Sequence, residues 1–539
     1  MRFVHSARRL RALSLTLLAF TAAFGTATAA QAAVTISDKP TSNMNCSGGV
    51  CTPTAKKAVL NVGDLATMLA TGDVKVVSNS QSVDMKFAAP LSWTRTSRLT
   101  LDSYRSIVFQ QPVSVTGIGA LTITTNDGGS GGDFSFENEG HIQFWDLRSS
   151  LITNGTGFTL VFNIKQLAHA VISDPAGNYA LAKPYNASKD GIYAAPPVGG
   201  VVGIVEGLGN AISNLSVNNS SDSGTAGLFD TNQGAIRDLG VTKVNISSAG
   251  GLYSAVGGLL ANNFGSVVQC FATGKVRVGD IGEIGGLVGA NIGGGLVSKS
   301  FASIEVAAGA NAYSGGLVGE NEGQVDRSYA SGTVTGGRFA GGLVGSISQT
   351  SGIITLSHAS GAVSGNGNVG GLIGVAGLLG ALASIDQSFA TGDVSGTGNV
   401  GGLAGWVPGA NSVADSYATG AVSGTDGSVA GGLIGESGGF ITENYSAGSV
   451  TAGGGSTIGG FIGNDIGHAL SADYWDLDTS GISDPAQGAG NVPNDPGIKG
   501  LSDTKLKSEL PKGFDPKIWG QKRNINNGYP YLLANPPKK

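Results

Sequence analysis

The chain has 539 residues, of which 90 are glycine and only 13% are charged. Soluble globular proteins carry about 25% charged residues, so this composition is unusual for a globular enzyme. The formal net charge is −5. Because phosphate binding needs a basic surface, we expect no nucleic-acid partner.

Residues 1–32 have the pattern of a secretory signal peptide. Four arginines among positions 2–11 precede an apolar run from Leu13 to Phe24, and Ala30-Gln31-Ala32 provides a small-residue cleavage site. Cleavage would leave 28 basic against 37 acidic residues. No later apolar run reaches the length of a membrane helix. We therefore expect a secreted, extracellular or cell-surface protein with no transmembrane segment after cleavage.

Residues 33–58 are predicted to form a polar N-terminal loop that contains Cys46 and Cys51. Two cysteines this close together in an exported chain predict a local disulfide. The third cysteine, Cys270, stands at a repeat position where other copies have serine. That position predicts a buried structural thiol.

Residues 59–150 contain short β runs separated by glycine turns, after one or two helical turns predicted at 62–69. The stretches 99–107 and 116–121 resemble the rungs of filamentous-haemagglutinin-type exoproteins. The resemblance covers about residues 58–150, and it implies a β-helix that continues into the region that follows.

Residues 151–198 are predicted to be a connector. Ile164 to Ile172 is apolar at helical spacing, and Asp174-Pro175 ends the pattern. Such a segment would cap a solenoid and protect its open strand edges.

A repeat with a period of 26 to 31 residues fills positions 199–470. Such a period is typical of solenoids, whose units bury their apolar faces by stacking on one another. The sequence therefore predicts an all-β fold, a parallel β-solenoid of about ten coils with short capping helices at the connector and the C-terminus. Each copy opens with a Gly-Gly or Ala-Gly pair, at positions 199, 226, 257, 285, 315, 341, 370, 401, 431 and 459.

Stacking of the copies would align equivalent side chains into columns, roughly 4.8 Å apart. The first predicted column is the apolar core: Leu259, Leu287, Leu317, Leu343, Leu372, Leu403, Leu433 and Phe461. The second predicted column is a ladder in which ring lies against ring: Phe271, Phe301, Tyr329, His358, Phe389, Tyr417 and Tyr445.

The repeat has a recurring sequence signature. Gly315–Gly319 reads Gly-Gly-Leu-Val-Gly, and Ser416–Val422 reads Ser-Tyr-Ala-Thr-Gly-Ala-Val. These segments resemble the GLUG motif, which is found in bacterial surface adhesins and some secreted peptidases. The resemblance spans residues 199–470 and implies an exported bacterial protein of repetitive β architecture. It implies no activity, because a structural repeat accompanies several functions.

Residues 471–539 are predicted to be a C-terminal cap. Ser502 to Leu510 predicts a short helix with Ser502 as its N-cap. Phe514, Trp519 and the aromatic run 527–532 would close the last coil.

Catalytic, cofactor-binding and metal-binding residues are not predicted at any position. Glycine strings at 365–370 and 396–401 match the letters of a dinucleotide fingerprint, but neither opens a helix. The carboxylates Glu320 and Glu322 are expected to be solvated turn charges, and His468 and the other histidines are too scattered for zinc.

One acidic segment imitates a calcium loop. Asp476, Asp478 and Asp484 stand at ligand spacing, but Gln487 occupies the place of the bidentate glutamate. Asx-type turns account for these residues as well, so the sequence leaves open a weak calcium site near Asp476.

These observations predict an adhesin-like interaction protein that presents a repetitive β-solenoid to a host or matrix glycan or surface protein. Two alternatives stay open. One is a polysaccharide-active β-helix lyase or hydrolase with its site in residues 59–150, and the other is a structural spacer that binds nothing.

Overall fold

The computed structural model describes residues 33–221, 224–252 and 254–537. Within these ranges the chain is nearly all β and winds as a parallel β-solenoid of about 15 turns. The predicted fold class is therefore confirmed. The predicted signal peptide at 1–32 lies outside the described residues.

One sheet runs along the whole solenoid and joins its N-terminal part to the repeats. The strand direction reverses at the antiparallel pair of Ser150–Thr153 and Thr156–Val161, whereas the neighbouring pair on each side is parallel. The sheet thus continues across the connector, but the strands on its two sides point in opposite directions. Its strands, in order, are Met44–Ser47, Val50–Pro53, Val74–Val77, Arg98–Asp102, Ala120–Thr124, Ser150–Thr153, Thr156–Val161, Tyr179–Leu181, Ile204–Glu206, Ala235–Arg237, Ser266–Val268, Leu296–Ser298, Gln324–Asp326, Gly352–Thr355, Ala383–Asp386, Ser412–Ala414, Phe440–Thr442 and Leu470–Ser471.

Two further sheets complete the N-terminal turns around a core of their own. The larger contains Ala58–Asn61, Ala33–Ser37, Asp84–Phe87, Ile107–Phe109 and Phe134–Phe136. The smaller contains Leu91–Trp93, Val113–Val115 and Ile142–Phe144.

A second long sheet, which we call the ladder sheet, forms another side of the repeats. Its strands are Tyr185–Asn186, Ala211–Ser213, Ser216–Asn219, Gly240–Ser248, Phe271–Val278, Phe301–Ala307, Tyr329–Ala330, Val334–Thr335, His358–Ala359, Val363–Gly365, Phe389–Ala390, Val394–Gly396, Tyr417–Ala418, Val422–Gly424, Tyr445–Ser446, Val450–Thr451, Asp473–Asp476 and Ile498–Leu501.

The remaining two sheets of the repeats lie on either side of the glycine pairs. Strands before the pairs are Ala255–Gly257, Glu283–Gly285, Tyr313–Gly315, Phe339–Gly341, Asn368–Gly370, Asn399–Gly401, Val429–Gly431 and Thr457–Gly459. Strands after the pairs are Val198–Val201, Phe229–Asn232, Leu260–Asn263, Val288–Asn291, Val318–Asn321, Val344–Ile347, Ile373–Ala376, Ala404–Val407, Ile434–Ser437 and Ile462–Asp465. Between 198 and 465 the described chain thus makes the ten coils that the repeat predicts.

The three α-helices of the described chain are short, and each begins at a side-chain cap. Helix α1 is Val62–Leu69 with Asn61 as N-cap, α2 is Ile164–Ser173, and α3 is Asp503–Leu506 with Ser502 as N-cap. Two 3₁₀ turns cover Ala187–Lys189 and Asn526–Gly528, and a small antiparallel pair joins Trp519–Gly520 to Tyr531–Leu532. Among the described residues, none of the helices has the length and apolar character needed to cross a membrane.

Cysteine pairing follows the sequence prediction. Cys46 and Cys51 form a disulfide between two adjacent antiparallel strands. Cys270 is buried, and its Sγ donates to the carbonyl oxygens of Ile236 and Val268. Burial raises the pKa of this thiol, which keeps it protonated and unreactive.

The predicted leucine column forms the interior of the repeats. All of its members are 0% exposed, and backbone bonds link them from coil to coil, as from Leu317 N–H to Leu343 O at 2.9 Å. A polar column lies beside it: Asn232, Asn263, Asn291 and Asn321 are buried, and each amide donates to the next at 2.7–2.8 Å. The stacked amides satisfy one another, so burial leaves few of their polar atoms unpaired.

The glycines of each copy permit backbone approaches that no side chain could accept. A Cβ on Gly315 would lie 1.9 Å from Val318 O, and one on Gly316 would lie 2.0 Å from Gly342 O. A Cβ on Gly319 would lie 2.5 Å from Ile284 N in the preceding coil. The strands before and after each glycine pair therefore meet in a narrow, backbone-lined cleft.

Candidate interaction site

The ring ladder predicted from the repeat exists and follows the ladder sheet. Parallel pairing aligns Phe271 with Phe301 and Phe301 with Tyr329, and the register continues to Tyr445. Successive ring centroids lie 4.6–5.2 Å apart, and successive ring planes differ by only 1–6°. The ladder is thus a nearly parallel stack along the solenoid axis.

The rings point away from the core. In each ladder strand the residue after the ring points inward and is buried, as are Ala302, Ala330 and Ala359, because side chains alternate between the two faces of a strand. Rings stacked face to face at about 5 Å cover one another's faces. The ladder therefore presents mainly ring edges to its surroundings.

The C-terminal segment lies along the side of this ladder. We call residues 502–537 the strap. Trp519 packs at an angle against two ladder rings, 6.1 Å from Tyr417 and 5.9 Å from Tyr445, with ring planes inclined by 51° and 56°. Tyr445 donates its hydroxyl to Pro530 O at 2.6 Å. The strap's aromatics and part of the ladder form one buried cluster.

The far end of the strap reaches back over earlier coils. The side-chain amide of Asn535 donates to Ser357 O and Gln387 O, both at 3.2 Å. Phe514 also packs against Tyr474, with ring centroids 5.7 Å apart. The predicted role of this segment in closing the last coil is therefore incomplete, because the strap covers the lateral face from Tyr474 back to Ser357. A non-repetitive tail has no register that would reveal this path in the sequence.

The strap divides the ladder into two halves. The covered half, Phe389, Tyr417 and Tyr445, is at most 1% exposed. The open half, Phe271, Phe301, Tyr329 and His358, is half-buried. The same column thus has one part buried under the strap and one part that is half exposed, and at the boundary His358 Nδ1 lies 3.3 Å from Asn535 Oδ1 of the strap.

A groove of about 900 Å³ lies where the two halves meet. The ladder provides one wall, hydroxyls of the following turn provide another, and the strap provides the third. Its lining residues are Tyr329, His358, Phe389, Ser331, Ser360, Thr391, Asn524, Ile525, Asn526, Asn527 and Pro537. Apolar ring edges beside uncharged hydroxyl and amide groups can bind an extended polymer, either peptide or glycan.

Charge at one turn position differs between the two halves. The residue two places before each ring has a positive φ. Beside the open half this residue is Gln269, Lys299, Arg327 or Leu356, and beside the covered half it is Gln387, Asp415 or Glu443. Arg327 pairs with its neighbour Asp326 at 2.6 Å, and Asp415 accepts the indole N–H of Trp519 at 2.8 Å. The charged residues at this position are therefore basic beside the open half and acidic beside the covered half.

A second candidate site is a carboxylate pocket in the glycine cleft. Glu283 and Glu320, from successive coils, line a cavity of about 200 Å³ together with Tyr313, Ser348 and Gln349. Burial, with their mutual repulsion as a contribution for Glu320, raises the pKa of Glu283 to about 7 and that of Glu320 to about 8. The prediction that Glu320 and Glu322 are solvated turn charges is wrong, since they are 5% and 8% exposed.

The repeat pattern of the sequence does not predict this pocket. Glu283 precedes its glycine pair and Glu320 follows the next one, so the two occupy different repeat positions. The close approach of strands across Gly315 and Gly319 brings them to one cleft. Only the structural role of those glycines would have indicated the contact.

The N-terminal region holds another carboxylate pair. Lys75 Nζ lies 2.6 Å from Asp102 Oδ2, and a hydrogen bond with Asp102 raises the pKa of Asp127. This pair lies in residues 59–150, the region where the alternative enzymatic site was predicted.

Two groups bear on metal binding. Asp476 accepts from the backbone N–H of Asp478 and from the Tyr529 hydroxyl, at 2.9 and 2.8 Å, which ties it to a turn and to the strap. Asp465, His468 and Asp495 hold potential ligand atoms within 4.8 Å of one another. Asp465 already accepts two backbone N–H groups there, as expected of an Asx turn.

Part of the chain matches a known family model. The family model described as the GLUG motif matches residues 310–335, which hold both Glu320 and the ladder ring Tyr329. The chain carries the GLUG motif. Together with the solenoid and the disulfide, the motif is consistent with a repetitive, extracellular surface protein. The resemblance of residues 58–150 to haemagglutinin-type exoproteins stays a prediction.

A comparison with curated protein sequences gives no match. Among solved structures, the chain is similar to one described as "a putative immunoglobulin A1 protease from Bacteroides ovatus". The two are 15% identical, and the alignment covers 70% of this chain and 93% of the other with a TM-score of 0.32. A likeness at this level carries no functional conclusion for this chain.

Proposed function

We propose that this protein is an adhesin-like interaction protein of the bacterial exterior, and that the open half of its ladder is the surface that meets partners. The observation that supports the proposal is the division of one continuous ring column into a part covered by the strap and a part that faces outward. Outward-facing contiguous apolar surface of this kind marks interaction sites in proteins.

The surroundings of the open half suit binding. The groove adds hydroxyls from Ser331 and Ser360 and amides from Asn524 and Asn526 to the ring edges. The stacked backbone holds these groups at fixed spacing, so a partner would order few of them on binding, which favours affinity.

Binding of purified residues 33–539 to matrix proteins, cell surfaces and glycan arrays tests the proposal. The informative variant is Phe301→Ala, which removes an open ring, and its matched control is Phe264→Ala, which removes a 45% exposed ring outside the ladder. We expect Phe301→Ala to weaken binding by about tenfold or more, as loss of an aromatic anchor does, and Phe264→Ala to leave it unchanged.

Equal binding by both variants would place the surface elsewhere. Failure of the unaltered protein to bind any of these targets would instead favour the structural spacer.

A second candidate is a polysaccharide-active enzyme. It is supported by the half-buried Glu283 and the buried Glu320, because a carboxyl group with a raised pKa can act as a general acid in glycoside cleavage. Product release from acidic or neutral polysaccharides, lost in Glu320→Gln and kept in Phe301→Ala, would support it. Release lost in Asp102→Asn would instead support the site predicted in residues 59–150.

A further inference from the structure

We propose that the open half of the ladder binds an extended protein segment that carries aromatic and acidic residues. This inference rests on the proposed function and names the chemistry of the partner. The strap shows what a ladder of this kind accepts, because it covers the continuation of the same column.

The strap binds the ladder through aromatic rings and polar groups. Trp519 lies at 51° and 56° to the two ladder rings it contacts, whereas Phe514 and Tyr529 lie at 40° and 26° to Tyr445. The inclined approach of Trp519 places its ring across ring edges, a favourable aromatic geometry. The carbonyl of Pro530 and the side-chain amide of Asn535 supply the hydrogen bonds. An extended peptide that contains aromatic residues can supply rings and backbone carbonyls of the same kind.

The stacking geometry favours a peptide over a glycan. A sugar ring binds an aromatic side chain by lying flat on the ring face, and here neighbouring rings 4.9–5.2 Å away occupy both faces of Phe301. The exposed edges instead suit aromatic side chains that approach at an angle, as those of the strap do.

The open half has room for a short segment. Ring-to-ring steps of 5.2, 4.9 and 5.1 Å separate Phe271 from His358, and an extended chain covers that length with about five residues. Pro537 of the strap lines the groove, so the incoming segment would lie beside the strap.

Charge distinguishes the partner from the strap itself. Asp415, beside the covered half, accepts the N–H of Trp519. At the equivalent position beside the open half, Lys299 is an exposed cation, whereas Arg327 already pairs with Asp326 at 2.6 Å. A segment that fits here therefore places a carboxylate beside Lys299, next to its aromatic residues.

Selection of random displayed peptides on purified residues 33–539 tests the inference. We expect the selected peptides to combine aromatic and acidic residues, and one such peptide, synthesised, to bind less tightly in about 0.5 M than in about 0.05 M NaCl. Lys299→Glu should weaken its binding by about fivefold, whereas Lys165→Glu, an exposed lysine on α2, should not change it.

Phe301→Ala should lower the affinity for the same peptide by about tenfold or more. Because Lys299 lies in an exposed turn, its variant is expected to keep the circular dichroism of the unaltered protein and so to separate binding from folding. Selected peptides without acidic residues, or peptide affinity unchanged in both Lys299→Glu and Phe301→Ala, would overturn the inference.

Failure of this inference can be distinguished from failure of the proposed function. If Phe301→Ala abolishes attachment to cell surfaces or glycans while selection yields only peptides that ignore the ladder, the interaction surface stands and the peptide partner is wrong. Concentration-dependent dimers that disappear in Phe301→Ala would also contradict the peptide inference, because they would identify a second copy of the chain as the occupant of the open half.

Discussion

The two halves of the ring ladder share a backbone but differ in what covers them. Phe389, Tyr417 and Tyr445 are buried under the strap, and Phe301 and Tyr329 are not. The ring spacing does not change between the halves. The comparison shows that the rings keep the same register with and without the cover, because parallel coil-to-coil pairing aligns them in both halves.

The halves also differ in their flanking charge. At the turn position before each ring, Asp415 and Glu443 flank covered rings, whereas Lys299 and Arg327 flank open rings. The charged residues at this one repeat position thus differ in sign between the two halves. The predictions below test this difference, in order of decreasing expected effect.

Loss of the strap's main anchor should affect only the covered half. Trp519→Ala removes a side chain that is 1% exposed. Such a change lowers the free energy of unfolding by about 3–5 kcal/mol. We expect amide hydrogen exchange to accelerate in residues 417–446 and to stay unchanged in residues 271–302.

The control for this variant is Trp145→Ala. Trp145 is 55% exposed and lies under Lys183. We therefore expect its loss to lower the free energy of unfolding by no more than about 1 kcal/mol. Faster exchange in both halves after Trp519→Ala would mean that the open rings depend on the strap as well.

Removing one ring from each half should give unequal costs. Tyr417→Ala creates a cavity under the strap and should lower the free energy of unfolding by about 3–5 kcal/mol. Phe301→Ala removes a half-buried ring and should cost about 1–2 kcal/mol. Urea unfolding followed by circular dichroism measures both, and equal costs would contradict the division of the ladder.

Raising the pH should weaken the coils that carry the open half. The pKa values of Glu283 and Glu320, about 7 and about 8, lie above the value of 4.5 for an unperturbed glutamate. The folded protein therefore binds protons more tightly than the unfolded chain, so this contribution to stability is greatest below about pH 4.5 and is lost as the pH rises to about 8.

Glu320→Gln should reduce that loss, because the amide does not ionise. We expect the fall in urea midpoint between about pH 5 and about pH 9 to be smaller in the variant than in the unaltered protein. An identical pH dependence would mean that the carboxylates are solvated in the folded protein.

The smallest expected effect concerns the flanking charge of the covered half. Asp415→Asn keeps an oxygen that can accept the Trp519 N–H and removes only the negative charge, so the cost should be within about 1 kcal/mol. The thermal midpoint measures it. A cost as large as that of Trp519→Ala would show that the charge itself holds the strap.

The repeated parts of the fold could be predicted because stacking imposes register. A leucine or ring that recurs every 26 to 31 residues must lie above its equivalent in the next coil, and Leu317 and Tyr329 do. The sheet side that the rings occupy also follows from alternation with the inward Ala330.

The parts that the sequence missed depend on contacts between non-equivalent positions. The strap crosses several coils through Trp519 and Asn535, neither of which recurs. Glu283 and Glu320 meet only because Gly319 lets two strands approach. Repetition fixes neighbours along the axis, whereas these contacts run across it.

Hydroxyl-radical footprinting of the protein bound to a selected acidic aromatic peptide tests the central claim most directly. The account predicts that Phe301 and Tyr329 lose reactivity on binding while the exposed Phe264 and Trp145 keep theirs. Protection of Tyr313 in the carboxylate pocket, with Phe301 and Tyr329 unchanged, would contradict it.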